Sequence, residues 1–199
     1  MCGVVYDGGN TLFTPDGKHL ISPVGQRVTV FDLTNESSAT LSVQMKSKVA
    51  FVAVNPSGSL LFIVDDAGRA QLASLLTYAS LSFLNFSEPV TAPPRFSPDG
   101  VTLAVAVGRK LEVWRVPDFA GENRQFAPWH LITRIVQHQA LITNLEWSGV
   151  DIGMGHVRRG FIGRWIATVS DDLSCRVFKI EYRADRARAL NQVSISKEA

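Results

Sequence analysis

Cysteine is nearly absent from this sequence: Cys2 and Cys175 are the only two in 199 residues. Thiols so far apart do not make a disulfide scaffold, so the fold rests on a packed core and suits a reducing compartment. Long apolar runs are missing too. The most apolar stretch, Val49–Val54, is strand-sized, against the ~18 residues that a membrane span needs. Met1-Cys2-Gly3 carries neither the basic nor the hydrophobic region of a secretory signal. No Gly-x-Ser-x-Gly elbow presents a nucleophile, and His19, His130, His138 and His156 lack metal-ligand spacing. Charge of one sign is scarce, with a net +2 and a pI of 8.7, short of the ~9 expected of a nucleic-acid-binding domain. The excess is uneven: +4 over residues 156–199 and −2 before them. Helical periodicity is almost lacking, and only Asp185–Leu190 reads as a helical turn.

What is present is an apolar fraction of 46% against 19% charged, enough to build a core and too apolar for a disordered chain. One turn recurs along it. Phe13-Thr14-Pro15-Asp16-Gly17, Val54-Asn55-Pro56-Ser57-Gly58 and Phe96-Ser97-Pro98-Asp99-Gly100 place their prolines 41 and 42 residues apart, and Trp147-Ser148-Gly149 is a fainter fourth copy. Pro presets φ, Asp or Ser bonds the nearby backbone, and Gly accepts φ > 0. After each turn come a short apolar strand, a tight turn and an alternating strand, such as Thr102–Val107 followed by Lys110–Val116. In the latter, period two sends Leu111 and Val113 inward and Lys110, Glu112 and Arg115 outward. A closing strand follows near Ala39–Val43, Ser80–Phe86, Leu131–Gln137 and Gln192–Ser196.

Four short strands at a period of about 40–45 residues are the mark of a propeller blade. The expected fold is all-β: a WD-repeat β-propeller of about four blades of four antiparallel strands, partial and open. It fills residues 1–199, with blades near 10–43, 49–86, 90–137 and 142–196 and a Gly/Arg-rich insertion at 150–164.

The third strand of such a blade ends in a hydrophobic-aromatic-polar triplet, here Val30-Phe31-Asp32, Val113-Trp114-Arg115 and Val177-Phe178-Lys179, with Leu72-Ala73-Ser74 degenerate. No blade has a literal Trp-Asp pair. Beyond these generic marks, Ile21-Ser22-Pro23-Val24-Gly25 and Arg27-Val28-Thr29-Val30-Phe31-Asp32-Leu33 closely resemble the opening of the periodic tryptophan protein 2 family. The likeness continues through Phe62-Ile63-Val64-Asp65 and Phe96–Gly100 and loosens after Pro117. The resemblance implies a nucleolar, hence nuclear, scaffold of the UTP-B subcomplex in the small-subunit processome. Such a scaffold acts in ribosome biogenesis and pre-18S rRNA processing, among other WD-repeat proteins and the small nucleolar ribonucleoprotein (snoRNP). It also implies two multi-blade propellers in the family, of which this chain matches the start of the first. An arc of four blades would leave exposed strand edges, with Val4, Val5 and Tyr6 as a closing strand lacking a receiver, and such edges invite oligomerisation or a partner. Two other readings stay open on the residues themselves: a generic WD adaptor, as in a ubiquitin ligase or trafficking coat, and a propeller hydrolase.

No residue is expected to be catalytic, and no cofactor or metal is called for; the chain reads as a binding protein rather than an enzyme. Asp65-Asp66 and Asp171-Asp172 look like metal-binding pairs, yet Asp66 aligns with Asp171 in the same inter-strand turn, where Asp serves local backbone bonding. His138, Ser170 and Asp171 are the candidates for bracing the fourth blade. Trp114, Trp147 and Trp165 fall on strands and suit core packing. Trp129, in a loop beside Pro128, is the candidate exposed anchor. Arg158, Arg159 and Arg164 in the insertion, with Arg183, Arg186 and Arg188 near the end, are candidate contacts to a partner or to the RNA backbone, to which arginine supplies charge without reading sequence.

Overall fold

A computed structural model describes residues 8–119, 128–149 and 161–183, the last to its backbone only at Arg183. The chain divides into two compact units, residues 1–94 and 95–199. Among the described residues every regular element is a strand.

The first unit holds two sheets. One is β1 (Leu12–Phe13), β2 (His19–Val24), β3 (Arg27–Asp32) and β4 (Ser37–Thr40); the other is β5 (Val49–Val54), β6 (Leu60–Asp65), β7 (Arg69–Ser74) and β8 (Ser80–Asn85). The second unit begins with β9 (Arg95–Phe96), β10 (Thr102–Val107), β11 (Lys110–Arg115) and β12 (His130–Ile135). Its second sheet is β13 (Ile142–Trp147), β14 (Phe161–Ser170) and β15 (Cys175–Arg183). Sequence neighbours are sheet neighbours throughout, and all pairings are antiparallel. Short turns suffice for such meanders. These sheets are the blades of a partial WD-repeat β-propeller. Val4–Tyr6, the helical turn at Asp185–Leu190 and the closing strand of the fourth blade at Gln192–Ser196 lie outside the described residues.

The recurring turn has the same wiring in three blades. Thr14 N, Asn55 N and Ser97 N donate to the carbonyls of His19, Leu60 and Thr102, and Gly17 N, Gly58 N and Gly100 N return to Thr14, Asn55 and Ser97. The three glycines sit at φ 70°, 71° and 70°, which side chains resist. Between the first two blades the turn geometry brings Ile21, Val28 and Val30 against Val49, Val52, Leu61 and Ile63, with Leu41, Val43 and Met45 of the linking segment completing the cluster. Each such side chain contributes about 1.5–3 kcal/mol by leaving water.

Two readings of the pattern change. Glu112 does not face solvent: it is 2% exposed, because both faces of β11 are covered and strand alternation no longer separates inside from outside. The Gly/Arg-rich insertion is shorter than 150–164, since Phe161–Arg164 belong to β14, paired with Ile180–Arg183 of β15.

Candidate functional site

Each blade from the second onward is fastened by polar side chains of its own. In the second blade Asp65 is fully buried; its carboxylate accepts the amides of Ala67 and Arg69 and pairs with Arg69 Nε at 2.8 Å. Arg69 in turn donates to Ser47 Oγ at 2.6 Å. The third blade buries Glu112 under Arg134, whose Nε lies 2.7 Å away, with the Trp114 indole donating at 3.0 Å. Buried carboxylates need this degree of satisfaction.

The fourth blade joins His138, Thr168, Asp172 and Ser174. His138 Nδ1 is 3.0 Å from Asp172 Oδ2 and its Nε2 is 2.8 Å from Thr168 Oγ1. Ser174 Oγ and the amides of Gln139 and Ser174 donate to the same carboxylate. The Ser174 hydroxyl first, then the Gln139 amide and the His138 ring, hold the Asp172 carboxyl below the ordinary carboxylate range. A hydroxyl, an imidazole and a carboxylate in series resemble a general-base relay. Here the Thr168 hydroxyl belongs to a residue only 1% exposed, and the series ties β14 to the segment before β13.

The acid on His138 is therefore Asp172 rather than Asp171. The Asp171 amide is committed to the Leu141 carbonyl and its side chain stays exposed. Ser170 is buried, and its hydroxyl accepts the Asp172 amide at 3.2 Å. Asp66 donates likewise to Lys48 O, which confirms that Asp66 and Asp171 hold the same turn position.

A further cluster escaped the sequence reading. Tyr182 Oη donates to Asp99 Oδ2 at 2.6 Å, and Arg164 Nε lies 3.8 Å from the same oxygen. Burial first, then the bond to Asp99, pushes the phenol well above its usual value. Arg164, a candidate partner contact, is 6% exposed and turned to Asp99. Trp129 is half-buried just before β12, Trp147 is buried, and Trp114 and Trp165 are half-buried; the Trp147 indole donates to Arg95 O at 3.0 Å. Arg183 ends β15. Arg158, Arg159, Arg186 and Arg188 lie outside the described residues. Among the described residues no group of three or more His, Cys, Asp or Glu is placed to hold a metal, and no helix is long and apolar enough to cross a membrane.

Among the exposed apolar side chains, two groups stand close to other features of the surface. In the first unit Leu76 is 80% and Tyr78 37% exposed, beside a cavity between the first two blades lined also by Pro15, Asp16, His19 and Leu75. In the second unit Val169 and Val177 are about two-fifths exposed, near the exposed Cys175 on the same face of the fourth blade.

No family model matches the chain. Similar curated proteins do. Over 181 residues it is 38% identical to Periodic tryptophan protein 2 of Saccharomyces cerevisiae, covering 91% of the chain and 18% of the yeast protein. A Periodic tryptophan protein 2 homolog of Neurospora crassa is 38% identical over 185 residues, 91% of the chain and 19% of that protein. The homolog of Mus musculus is 41% identical over 148 residues, 74% of the chain and 16% of its own length. The chain thus spans about a fifth or less of the relatives it matches. With four antiparallel sheets of the WD type and a match that runs through nearly all of them, the chain belongs to the periodic tryptophan protein 2 family.

Proposed function

We propose that this chain is a non-catalytic scaffold segment that works in ribosome biogenesis, within a particle of the small-subunit processome type that processes pre-18S rRNA in the nucleolus. The observation that carries the reading is the match to Periodic tryptophan protein 2 over 91% of the chain. The chemistry of the described residues is in keeping with it. The carboxylates of Asp65, Glu112 and Asp172 brace turns and blades, and the surface offers turns and strand edges for recognition. Its partners on this reading are other WD-repeat proteins of the particle and, through the candidate arginines Arg158, Arg159, Arg183, Arg186 and Arg188, pre-rRNA or the small nucleolar ribonucleoprotein. The test is sedimentation of the tagged protein in a sucrose gradient, with sequencing of co-purified RNA. Co-migration with large particles containing pre-18S rRNA is the expected result. Residence in light fractions, or a pull-down dominated by ligase or coat subunits, would replace the reading with that of a general WD adaptor.

A further inference from the structure

The chain builds the Pro-Asp-Gly turn twice with the same hydrogen bonds and then finishes the two copies differently. In the first blade Asp16 Oδ1 accepts Thr14 Oγ1 and the Lys18 amide. In the third blade Asp99 Oδ1 accepts Ser97 Oγ and the Val101 amide. Each turn therefore leaves its Oδ2 outside its own hydrogen bonds. In the second unit that oxygen is taken by the Tyr182 hydroxyl, with the Arg164 guanidinium beside it, and both residues are buried. In the first unit the corresponding Asp16 Oδ2 has no partner among the described residues. Before it lies a cavity of about 530 Å³.

Strand length explains the difference. The pairs Leu60↔Ser74 of β6–β7 and Trp165↔Lys179 of β14–β15 hold the same place in their blades. Beyond that point β14 and β15 run on to Phe161 and Arg183, bringing Arg164 and Tyr182 under Asp99. β6 and β7 stop, and the chain turns away through Leu76 and Tyr78. Ser59 stands where the fourth blade has Arg164: the Leu75 amide bonds Ser59 O just as Ile180 pairs with Arg164. One hydroxymethyl group does not fill what a guanidinium on a three-carbon stem fills.

We propose that this cavity takes an arginine side chain from an extended segment of a partner protein, anchored on Asp16. The carboxylate supplies the charge that guanidinium binds at short range. Pro15, Leu75, Leu76 and Tyr78 supply the apolar wall along which an arginine stem packs. Tyr78 is fixed there: its backbone is left-handed at φ 56°, and Ser42 Oγ holds its carbonyl at 2.9 Å. The Thr14 hydroxyl first and the Lys18 amide next keep the Asp16 carboxyl below its ordinary value, hence ionised at neutral pH. An RNA phosphate meets repulsion in the same place, so the occupant is a peptide.

The experiment uses the 199-residue chain and two random peptide libraries, one with arginine fixed at the centre and one with its neutral isostere citrulline. Asp16 is exposed to solvent, so the arginine library is expected to be retained about two- to fivefold better, the value of one solvent-screened ion pair. Asp16→Asn should abolish the preference while its amide oxygen keeps the turn bonds, verified by an unchanged melting temperature. Ser59→Arg should fill the cavity in cis and suppress peptide retention; because it also removes the hydroxyl that bonds Asn55 and Ser57, an unchanged melting temperature is required of this variant too. Equal retention of the two libraries, a preference that survives both substitutions, or displacement of the peptides by single-stranded RNA would overturn the proposal.

Discussion

The second and fourth blades carry the same inter-strand turn with opposite residues at its critical position, and exchanging them should move stability in opposite directions. Gly68 N donates to Asp65 O and Leu173 N to Ser170 O, both at 3.1 Å. The two residues adopt left-handed backbones, at φ 80° and φ 61°. For leucine this conformation costs about 1–2 kcal/mol. Leu173 is 98% exposed, so its side chain returns almost nothing by packing. Leu173→Gly relieves that strain and forfeits part of the gain, about 0.5–1 kcal/mol, to the greater freedom of glycine in the unfolded chain. The net expectation is a stabilisation of about 0.5–1 kcal/mol. Gly68→Ala does the reverse. The added Cβ would lie 2.8 Å from the Glu88 carbonyl oxygen, in a backbone already tied by the Phe86 amide to Gly68 O at 2.9 Å. Strain and crowding together make it about 2–3 kcal/mol destabilising. At about 2–4 °C per kcal/mol for a chain of this size, calorimetry should show a rise of about 1–4 °C for the first variant and a fall of about 4–12 °C for the second. A lower melting temperature for Leu173→Gly, or an unmoved one for Gly68→Ala, would refute the equivalence of the two turns.

Two further expectations concern pH. The Asp172 carboxyl is held below its unfolded value by Ser174, Gln139 and His138, so its contribution is present above about pH 4 and is lost as pH falls through and below that point. Urea titrations of the wild type and Asp172→Asn should give a stability gap that narrows on acidification, and a gap independent of pH would refute the assignment. Tyr182 is raised instead, so above about pH 10 the unfolded chain gives up a proton that the folded one keeps, and stability declines there. Tyr182→Phe should weaken the fold by about 1.5–3 kcal/mol at neutral pH and flatten the alkaline decline; a variant as stable as the wild type would show that the bond to Asp99 contributes nothing.

The turns and inner strands were legible because their chemistry is local. Pro15-Asp16-Gly17 and Pro98-Asp99-Gly100 prescribe a turn wherever they stand, and Thr102–Val107 has its observed bounds. The bracing acid was displaced by one residue because Asp171 and Asp172 are indistinguishable until the Leu141 carbonyl claims the Asp171 amide. Glu112 misled the alternation because its covering partner, Arg134, comes from the next strand, 22 residues on. Arg164 read as loop because Gly160 and Gly163 suggest a flexible hairpin, yet Gly163 pairs with Glu181 inside the sheet. The link from Tyr182 to Asp99 spans 83 residues and has no local signal at all.

The six residues of β10 are each 0% exposed, from Thr102 through Leu103, Ala104, Val105 and Ala106 to Val107. On such a strand the two alanines leave no room to spare: Ala104 and Ala106 are each 0% exposed between larger neighbours. A bulkier replacement has no empty direction to grow into, whichever way it points. Substitution should be tolerated instead on strands such as β13, where Thr143, Asn144 and Glu146 face water.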